Sequence, residues 1–176
     1  MKNSQAEKNA LMQIAGFMAA AARTAPKVRG VDNIKTLIIS TEKEKSKLIK
    51  AMNEAAKKHN KPGFKRDAEN LRHAGAILLI GTKTGAIGLT YCGFCGYKDC
   101  AALTKAKGIC AFNSIDLGIA TGSAVSIASD FRIDNRIMYS AGKAALNIDL
   151  FKDKGVKTAL AIPLSATGKN IFFDRK

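Results

Sequence analysis

The sequence is poor in the residues that usually carry acid–base catalysis. It has only two histidines in 176 residues, no tryptophan, and 14 acidic side chains against 29 basic ones. His59 follows a helical pattern and is compatible with a helix C-terminus, while His73 precedes a predicted strand. Neither has an evident partner, and no side chain stands out as a general acid or base.

Long apolar runs are also absent, so the sequence predicts no membrane span. The apolar stretch 10–22 could be mistaken for a signal peptide. It contains Gln13, its apolar residues have helical spacing, and Glu7 lies among the lysines before it. We interpret it as a helix of the mature protein and expect a cytoplasmic location.

The shortage of acidic residues leaves a net charge of +15. Anionic cofactors, nucleic acid and an acidic protein partner could each account for this excess. No block of Arg and Lys is interleaved with aromatics and no nucleic-acid motif is present, which argues against nucleic acid. A solvated basic surface remains the plain alternative.

The four cysteines are confined to one short stretch of the chain. Residues 92–100 read Cys-Gly-Phe-Cys-Gly-Tyr-Lys-Asp-Cys, and the remaining thiol follows at position 110. Reduced cytosolic thiols argue against disulfides, and unrelated core cysteines would be scattered. The candidate metal ligands are Cys92, Cys95, Cys100 and Cys110.

Ligand spacing favours an iron–sulfur cluster over zinc. Zinc sites often use two C-x₂-C pairs, and only one is present here, whereas iron–sulfur sites accept uneven spacing. Gly93 and Gly96 would let the backbone approach inorganic sulfide, and Phe94 and Tyr97 could shield it from water. Zinc remains the alternative, and the number of irons stays open.

The periodicity predicts an alternation of helices and strands. Apolar spacing and capping residues predict helices over 4–24, 41–59 and 115–131, the last capped by Asn113 or Ser114. Continuous apolar runs predict strands at 37–39, 76–81 and 156–163, and a further helix is expected over 134–145. In the helix over 115–131, Ile115 and Ile119 are expected to be buried, and Gly118 and Gly122 to allow close helix packing.

Two loops have the composition of anion sites. The basic loop 24–33 joins a helix to a buried strand, and the loop 165–170 combines hydroxyls, a glycine and a lysine. The second loop is not a P-loop, because its order and length differ. An ordinary connection with exposed lysine and arginine explains the first loop equally well.

Several motifs resemble known families. The cysteine run resembles the small 4Fe–4S domain of corrinoid iron–sulfur proteins and membrane electron-transport subunits. The pattern over 22–33, the Ala/Gly-rich helix 118–129 and the closing segment 159–169 resemble nitroreductase-like flavoproteins. Most of the chain is similar to a prokaryotic family described as containing a ferredoxin domain, the DUF2148 group, through the cysteine run and segments 134–139 and 162–170.

The resemblance implies a single α+β domain over residues 1–176, a nitroreductase-like three-layer structure with a central mixed sheet flanked by helices. A Cys-rich ferredoxin-like insertion would occupy residues 91–111, and the Ala/Gly-rich helix would form a homodimer. Nitroreductases usually begin with an Arg-Arg-Ser segment that holds the FMN phosphate, and this chain has Asn9-Ala10-Leu11 on its first helix. The residues that the resemblance assigns to a flavin pocket are Arg23, Thr24, Pro26, Lys27, Arg29, Asn33 and, near the phosphate, Lys169.

Two functions follow as hypotheses. The first is a redox protein that carries electrons on an iron–sulfur cluster, with 4Fe–4S favoured and FMN as an additional cofactor. If the protein also catalyses a reaction, it would be an FMN/iron–sulfur oxidoreductase. The second is a basic binding module, stabilised by zinc or a cluster, that binds nucleic acid or an acidic protein without catalysis. The electron donor or acceptor cannot be identified from the residues.

Overall fold

The computed structural model describes residues 3–173 of the chain. Within them the helices and strands follow in this order: α1 (Asn3–Thr24), β1 (Ile34–Ile39), α2 (Glu42–Lys58), α3 (Pro62–Arg72), β2 (Ala76–Lys83), α4 (Cys100–Lys105), α5 (Ala111–Asp130), β3 (Asp134–Asn135), α6 (Tyr139–Asn147) and β4 (Val156–Ser165). A short 3₁₀ turn, Val28–Gly30, lies between α1 and β1.

The four strands form one sheet in the order β1-β2-β4-β3. Each strand pair is antiparallel, so the expected mixed sheet is wrong. The two central strands, β2 and β4, run in opposite directions, and each edge strand runs opposite to the central strand beside it. The continuous apolar run of β2 is buried from Ala76 to Thr82, as expected for a strand covered on both faces.

Helices α1 and α5 cover one face of the sheet. Leu78 and Ile80 of β2 pack in a cluster with Met18 of α1 and Ala120 and Ala124 of α5. The alanines keep the two helices close to each other and to the sheet. This face contains the first of two large cores.

The opposite face of the sheet is covered by α2, α3 and α6. Ile77 and Leu79 point to this side, because successive strand residues alternate, and they join a cluster with Leu48 and Leu71. Phe172, after β4, is buried in the same cluster. The sheet therefore lies between two helical layers, which confirms the predicted three-layer α+β domain.

Three local predictions need correction. Helix α5 begins at Ala111 after Cys110, and Asn113 lies buried inside its first turn instead of capping it. The expected helix from Asp134 begins only at Tyr139, because Asp134 and Asn135 pair with β4 first. Ile115 and Ile119 are exposed by 43% and 41%, so these two side chains face outward, whereas Leu117 and the alanines of α5 pack on the core.

No helix in the described part of the chain has both the length and the hydropathy needed to cross a membrane.

Candidate functional site

The cysteine segment is a loop whose two ends meet. The chain leaves the sheet after β2 and returns at Cys110, whose N–H donates to the carbonyl of Thr84 over 3.1 Å. The intervening residues contain α4, which was not predicted from the sequence. Asp99 caps this helix, since its carboxylate accepts from the N–H of Ala102 over 2.8 Å.

Two glycines set the path of the chain between the first three cysteines. Gly93 and Gly96 have φ angles of 68° and 80°, in the left-handed region that favours glycine. The N–H of Gly96 donates to the carbonyl of Gly93 over 2.9 Å and closes a tight turn. The turn places Cys92 and Cys95 on the wall of one cavity.

All four cysteines line this cavity, which has a volume of about 410 Å³. They are free thiols; Cys110 is buried and the other three are partly exposed. The walls between them are mostly apolar, with Ile87, Leu103 and Phe112 among the lining residues. Together with Cys110, Ile87 and Leu103 form a third, smaller apolar cluster, separate from the two that flank the sheet.

The thiols surround a space and do not converge on one point. Among the described residues, no group of three or more Cys, His, Asp or Glu side chains is arranged to hold a single metal ion. Zinc needs its thiolates about 2.3 Å from one centre. A cluster presents its irons at separate corners, so an iron–sulfur site accepts thiols that are spread around one cavity.

The two aromatic side chains expected to shield the site differ in burial. Tyr97 packs into the third cluster, and its ring lies 2.8 Å from where a Cβ of Gly108 would stand. Phe94 stacks on Phe112 with ring centroids 5.6 Å apart, yet it remains 71% exposed. Tyr97 therefore forms part of the wall, whereas Phe94 covers the rim.

The cationic side chains of the predicted flavin loop are engaged within the chain. Arg23 pairs with Asp32 and donates to the carbonyl of Ile34 over 3.0 Å. The Lys27 ammonium donates to the carbonyls of Arg23 and Ala25 over 2.6 and 2.8 Å, at the C-terminus of α1. This position suits a cation, because the last carbonyls of a helix carry partial negative charge.

Arg29 connects this loop to the cysteine segment. Its guanidinium donates to the carbonyls of Ile87 and Gly88 over 3.2 and 3.0 Å, and Ile87 is part of the cavity wall. Its backbone is in the left-handed region with φ of 54°. Val28, one residue before, packs against the third apolar cluster.

Two buried polar residues of α5 also contact the predicted flavin loop. Asp116 accepts from the N–H of Val28 with both oxygens at 3.2 Å, and Asn113 accepts from the side chain of Asn33 over 2.8 Å. Asn113 also donates to the carbonyl of Gly85 over 2.7 Å. Sequence reasoning missed the roles of both α5 residues; the available signal was two polar residues on the apolar, inward face of the helix.

The remaining predicted flavin residues do not converge in one chain. Thr24 donates back to the carbonyl of Ala20 over 3.2 Å, and Pro26 is exposed. Lys169 lies beyond Ser165, at the sheet end where Leu164 pairs with Ala76, whereas Asn33 precedes Ile34, which pairs with Thr82. Six strand residues separate these ends, a distance of about 20 Å.

Comparison with known proteins identifies the fold class first. A nitroreductase with bound FMN from Desulfitobacterium hafniense superimposes with a TM-score of 0.63 at 12% identity, over 89% of this chain and 78% of that one. Nitroreductase A from Vibrio parahaemolyticus gives 0.58 at 11% identity, over 90% of this chain and 59% of that one. The chain thus spans about three fifths of that enzyme, and these likenesses establish a nitroreductase-like fold.

Sequence comparison then identifies the family. Residues 106–175 match the model of the family described as uncharacterized proteins containing a ferredoxin domain (DUF2148). A protein of Archaeoglobus fulgidus, described only as uncharacterized, is 41% identical over 98% of this chain and 96% of its own length. The chain belongs to this ferredoxin-domain family.

Proposed function

We propose that this protein is an electron-transfer protein whose iron–sulfur cluster is held by Cys92, Cys95, Cys100 and Cys110. The observation that carries the proposal is that all four thiols, and no disulfide, line one cavity with largely apolar walls. A cluster supplies one-electron redox chemistry when bound.

The protein's own contribution would be to position the thiols and limit the access of water. Gly93 and Gly96 leave the backbone without side chains beside the cavity, and Tyr97 and Leu103 close its wall. Burial and hydrogen bonding around the sulfurs are the features by which a protein sets a cluster's potential. A [4Fe–4S] cluster, with one thiolate for each iron, is the type we favour.

FMN is the second cofactor in this proposal. Its support is the fold, which is shared with a nitroreductase that has FMN bound. The predicted pocket fits only in part within one chain, because Arg23 is paired with Asp32, Lys27 caps α1, and Lys169 lies at the other end of the sheet. A flavin that contacts both groups would therefore need two protomers.

A homodimer is the assembly that this proposal requires. Phe17 of α1 and Ile115, Ile119 and Phe131 at α5 are large apolar side chains exposed by 41–54% on one face of the molecule. Gly118 and Gly122 have no atom within 4 Å of an added Cβ, so the α5 backbone is open to close approach by another helix. A second copy of the chain would bury this face.

The test is anaerobic purification followed by iron, sulfide and zinc analysis and a visible spectrum. We expect iron and sulfide in the ratio of a cluster, with absorbance that bleaches on reduction by dithionite. Single Cys→Ser substitutions at the four positions should each lower the iron content, while Thr104→Ser outside the cavity should not. Zinc without iron would refute the redox assignment and favour a metal-stabilised basic binding module. Flavin is then measured separately, after it is extracted from the purified folded protein.

A further inference from the structure

The rim of the cysteine cavity exposes large apolar side chains. Tyr91, immediately before the first cysteine, is fully exposed, and Phe94 is 71% exposed. Ile109, immediately before the last cysteine, is 49% exposed. Three such side chains beside one cavity are unlike the isolated exposed residues of an ordinary surface, and resemble the apolar centre of a protein interface.

Lysines surround these apolar side chains. Lys98 lines the cysteine cavity, and Lys107 and Lys157 line an adjacent depression of about 460 Å³ that shares Leu103 with it. Lys105, on α4, is also exposed. We refer to these four lysines as the cationic rim.

Negative charge is nearly absent from the same segment. Between residues 84 and 110 the only carboxylate is Asp99, and its oxygen is engaged in capping α4. The cationic rim therefore produces a local positive potential beside the cavity, in addition to the overall charge of +15. A partner that docks here must carry complementary negative charge.

We propose that the cationic rim and the apolar residues Tyr91, Phe94 and Ile109 form the docking surface for an acidic one-electron carrier protein. The inference rests on the proposed electron-transfer function. Electron transfer requires close approach to the cluster, and two residues of this surface, Tyr91 and Lys98, line its cavity. Redox encounters are small and transient, so a few apolar contacts within a charged rim suit them, with charge governing the association rate.

The exchange needs no further reactant. One electron leaves the reduced carrier, which is oxidised, and enters the oxidised cluster of this protein, which is reduced. Nucleic acid fits the surface less well, because the cysteine cavity beside these lysines is mostly apolar.

The experiment uses the iron-loaded, full-length protein and a reduced, acidic plant-type [2Fe–2S] ferredoxin in anaerobic stopped-flow. The test variant, Lys105→Glu/Lys107→Glu/Lys157→Glu, omits Lys98 because that residue lines the cysteine cavity. The matched control, Lys43→Glu/Lys47→Glu/Lys57→Glu, makes the same change in net charge on exposed positions of α2. Reduction by methyl viologen radical, a small cation that needs no docking surface, is measured for every protein, as are iron content and oligomeric state.

At an ionic strength of about 0.02 M the rim variant should react with ferredoxin about tenfold more slowly than the wild type or worse, and the control variant within about twofold of it. The difference should shrink at about 0.5 M salt, where charges are screened. Iron content should stay unchanged, and so should methyl viologen rates compared at about 0.5 M salt, where the charge of this cation is screened.

Equal losses in both variants would show that overall charge governs association and would overturn the docking surface. A rim variant that is reduced by ferredoxin at the wild-type rate would overturn the docking surface too. The same holds if that variant instead loses binding to a single-stranded oligonucleotide. A rim variant with an altered oligomeric state would assign this surface to a second copy of the chain. Wild-type protein that contains no iron and sulfide would refute the proposed function itself. This outcome is distinct from the preceding ones, which concern only the docking surface.

Discussion

At the residue scale, Asn113 joins two distant segments of the chain through its side chain. Its side chain is fully buried and is hydrogen bonded both to Asn33 and to the carbonyl of Gly85. Asn113→Ala would remove both hydrogen bonds, each worth about 0.5–1.5 kcal/mol, so we expect a loss of about 1–3 kcal/mol in the free energy of unfolding. Urea denaturation monitored by circular dichroism measures it.

Gln13→Ala is the matched control for that substitution. Gln13 is exposed on α1, and surface changes of this kind usually stay within about 0.5 kcal/mol. If both variants unfolded at the same urea concentration, the connection from Asn33 through Asn113 to Gly85 would contribute nothing measurable.

Asp32 gives a prediction about pH. Burial opposes its ionisation, but the hydrogen bond and charge of Arg23 and the N–H of Ile34 outweigh it, so the pKa of Asp32 lies below its ordinary value of 3.8. A depressed pKa stabilises the folded state above the unfolded-state pKa, and this stabilisation disappears as pH falls through the folded-state pKa. Asp32→Asn should therefore be less stable than wild type at pH 7, and the two should converge below pH 3.8.

Urea unfolding at a series of pH values from neutral to acid tests this convergence. In an Arg23→Gln background the effect of Asp32→Asn should be smaller, because the largest attractive partner is gone. A difference between wild type and Asp32→Asn that stayed constant with pH would contradict the role given to this ion pair.

The sequence indicated that the four thiols lie together, but it did not indicate the residues that connect them to the rest of the molecule. The four thiols lie so close in sequence that their shared role can be inferred from spacing alone. Asn113, by contrast, resembles a helix cap locally, and its partner Asn33 is 80 residues away. Long-range hydrogen bonds of this kind leave no local pattern, and the same holds for the contact of Asp116 with Val28.

At the scale of elements, α6 approaches β4 so closely that only glycine fits at position 142. A Cβ there would lie 2.1 Å from the carbonyl oxygen of Ala159 and 2.8 Å from the Cα of Leu160. Backbone atoms in a central strand cannot move aside without disturbing the sheet. Gly142→Ala should therefore destabilise the protein by about 1–3 kcal/mol or more, as measured by thermal and urea unfolding.

Gly63→Ala provides the comparison, because an added Cβ on α3 has nothing within 4 Å. Alanine is the better helix former, so this variant should match or exceed the wild type by up to about 1 kcal/mol. A Gly142→Ala variant as stable as Gly63→Ala would mean that α6 and β4 can separate without cost.

The elements themselves were predicted with unequal success. Long periodic patterns predicted α2 and β2 nearly to their ends. The side chain of Thr41 accepts a hydrogen bond from the N–H of Glu44 and thereby caps α2. Asp134 and Asn135 were misassigned because local composition suits a helix start, whereas pairing with β4 decides their conformation. The mixed sheet was wrong because strand direction depends on the path of the chain between strands, which periodicity does not encode.

At the scale of the whole molecule, the apolar face of α1 and α5 and the divided flavin pocket lead to the same expectation. If two protomers bury this face, Ile119→Arg should produce monomers, because it would place an unpaired charge within the contact. Light scattering coupled to size-exclusion chromatography measures the mass. Ile148→Arg is the matched control, since Ile148 is similarly exposed, at 38%, but follows α6 on the other side of the sheet.

The same variants connect assembly to cofactor binding. The four proposed cysteine ligands all belong to one chain, so iron content should be equal in Ile119→Arg, Ile148→Arg and wild type. FMN affinity, measured by quenching of flavin fluorescence, should fall by about tenfold or more in Ile119→Arg alone, because Lys169 and the loop containing Asn33 would no longer contribute to one site. A monomeric variant that binds FMN as tightly as wild type would show that one chain forms the pocket by rearranging Arg23 and Lys27. If Ile119→Arg lost iron as well as FMN, metal binding in the cysteine cavity would instead depend on dimer formation.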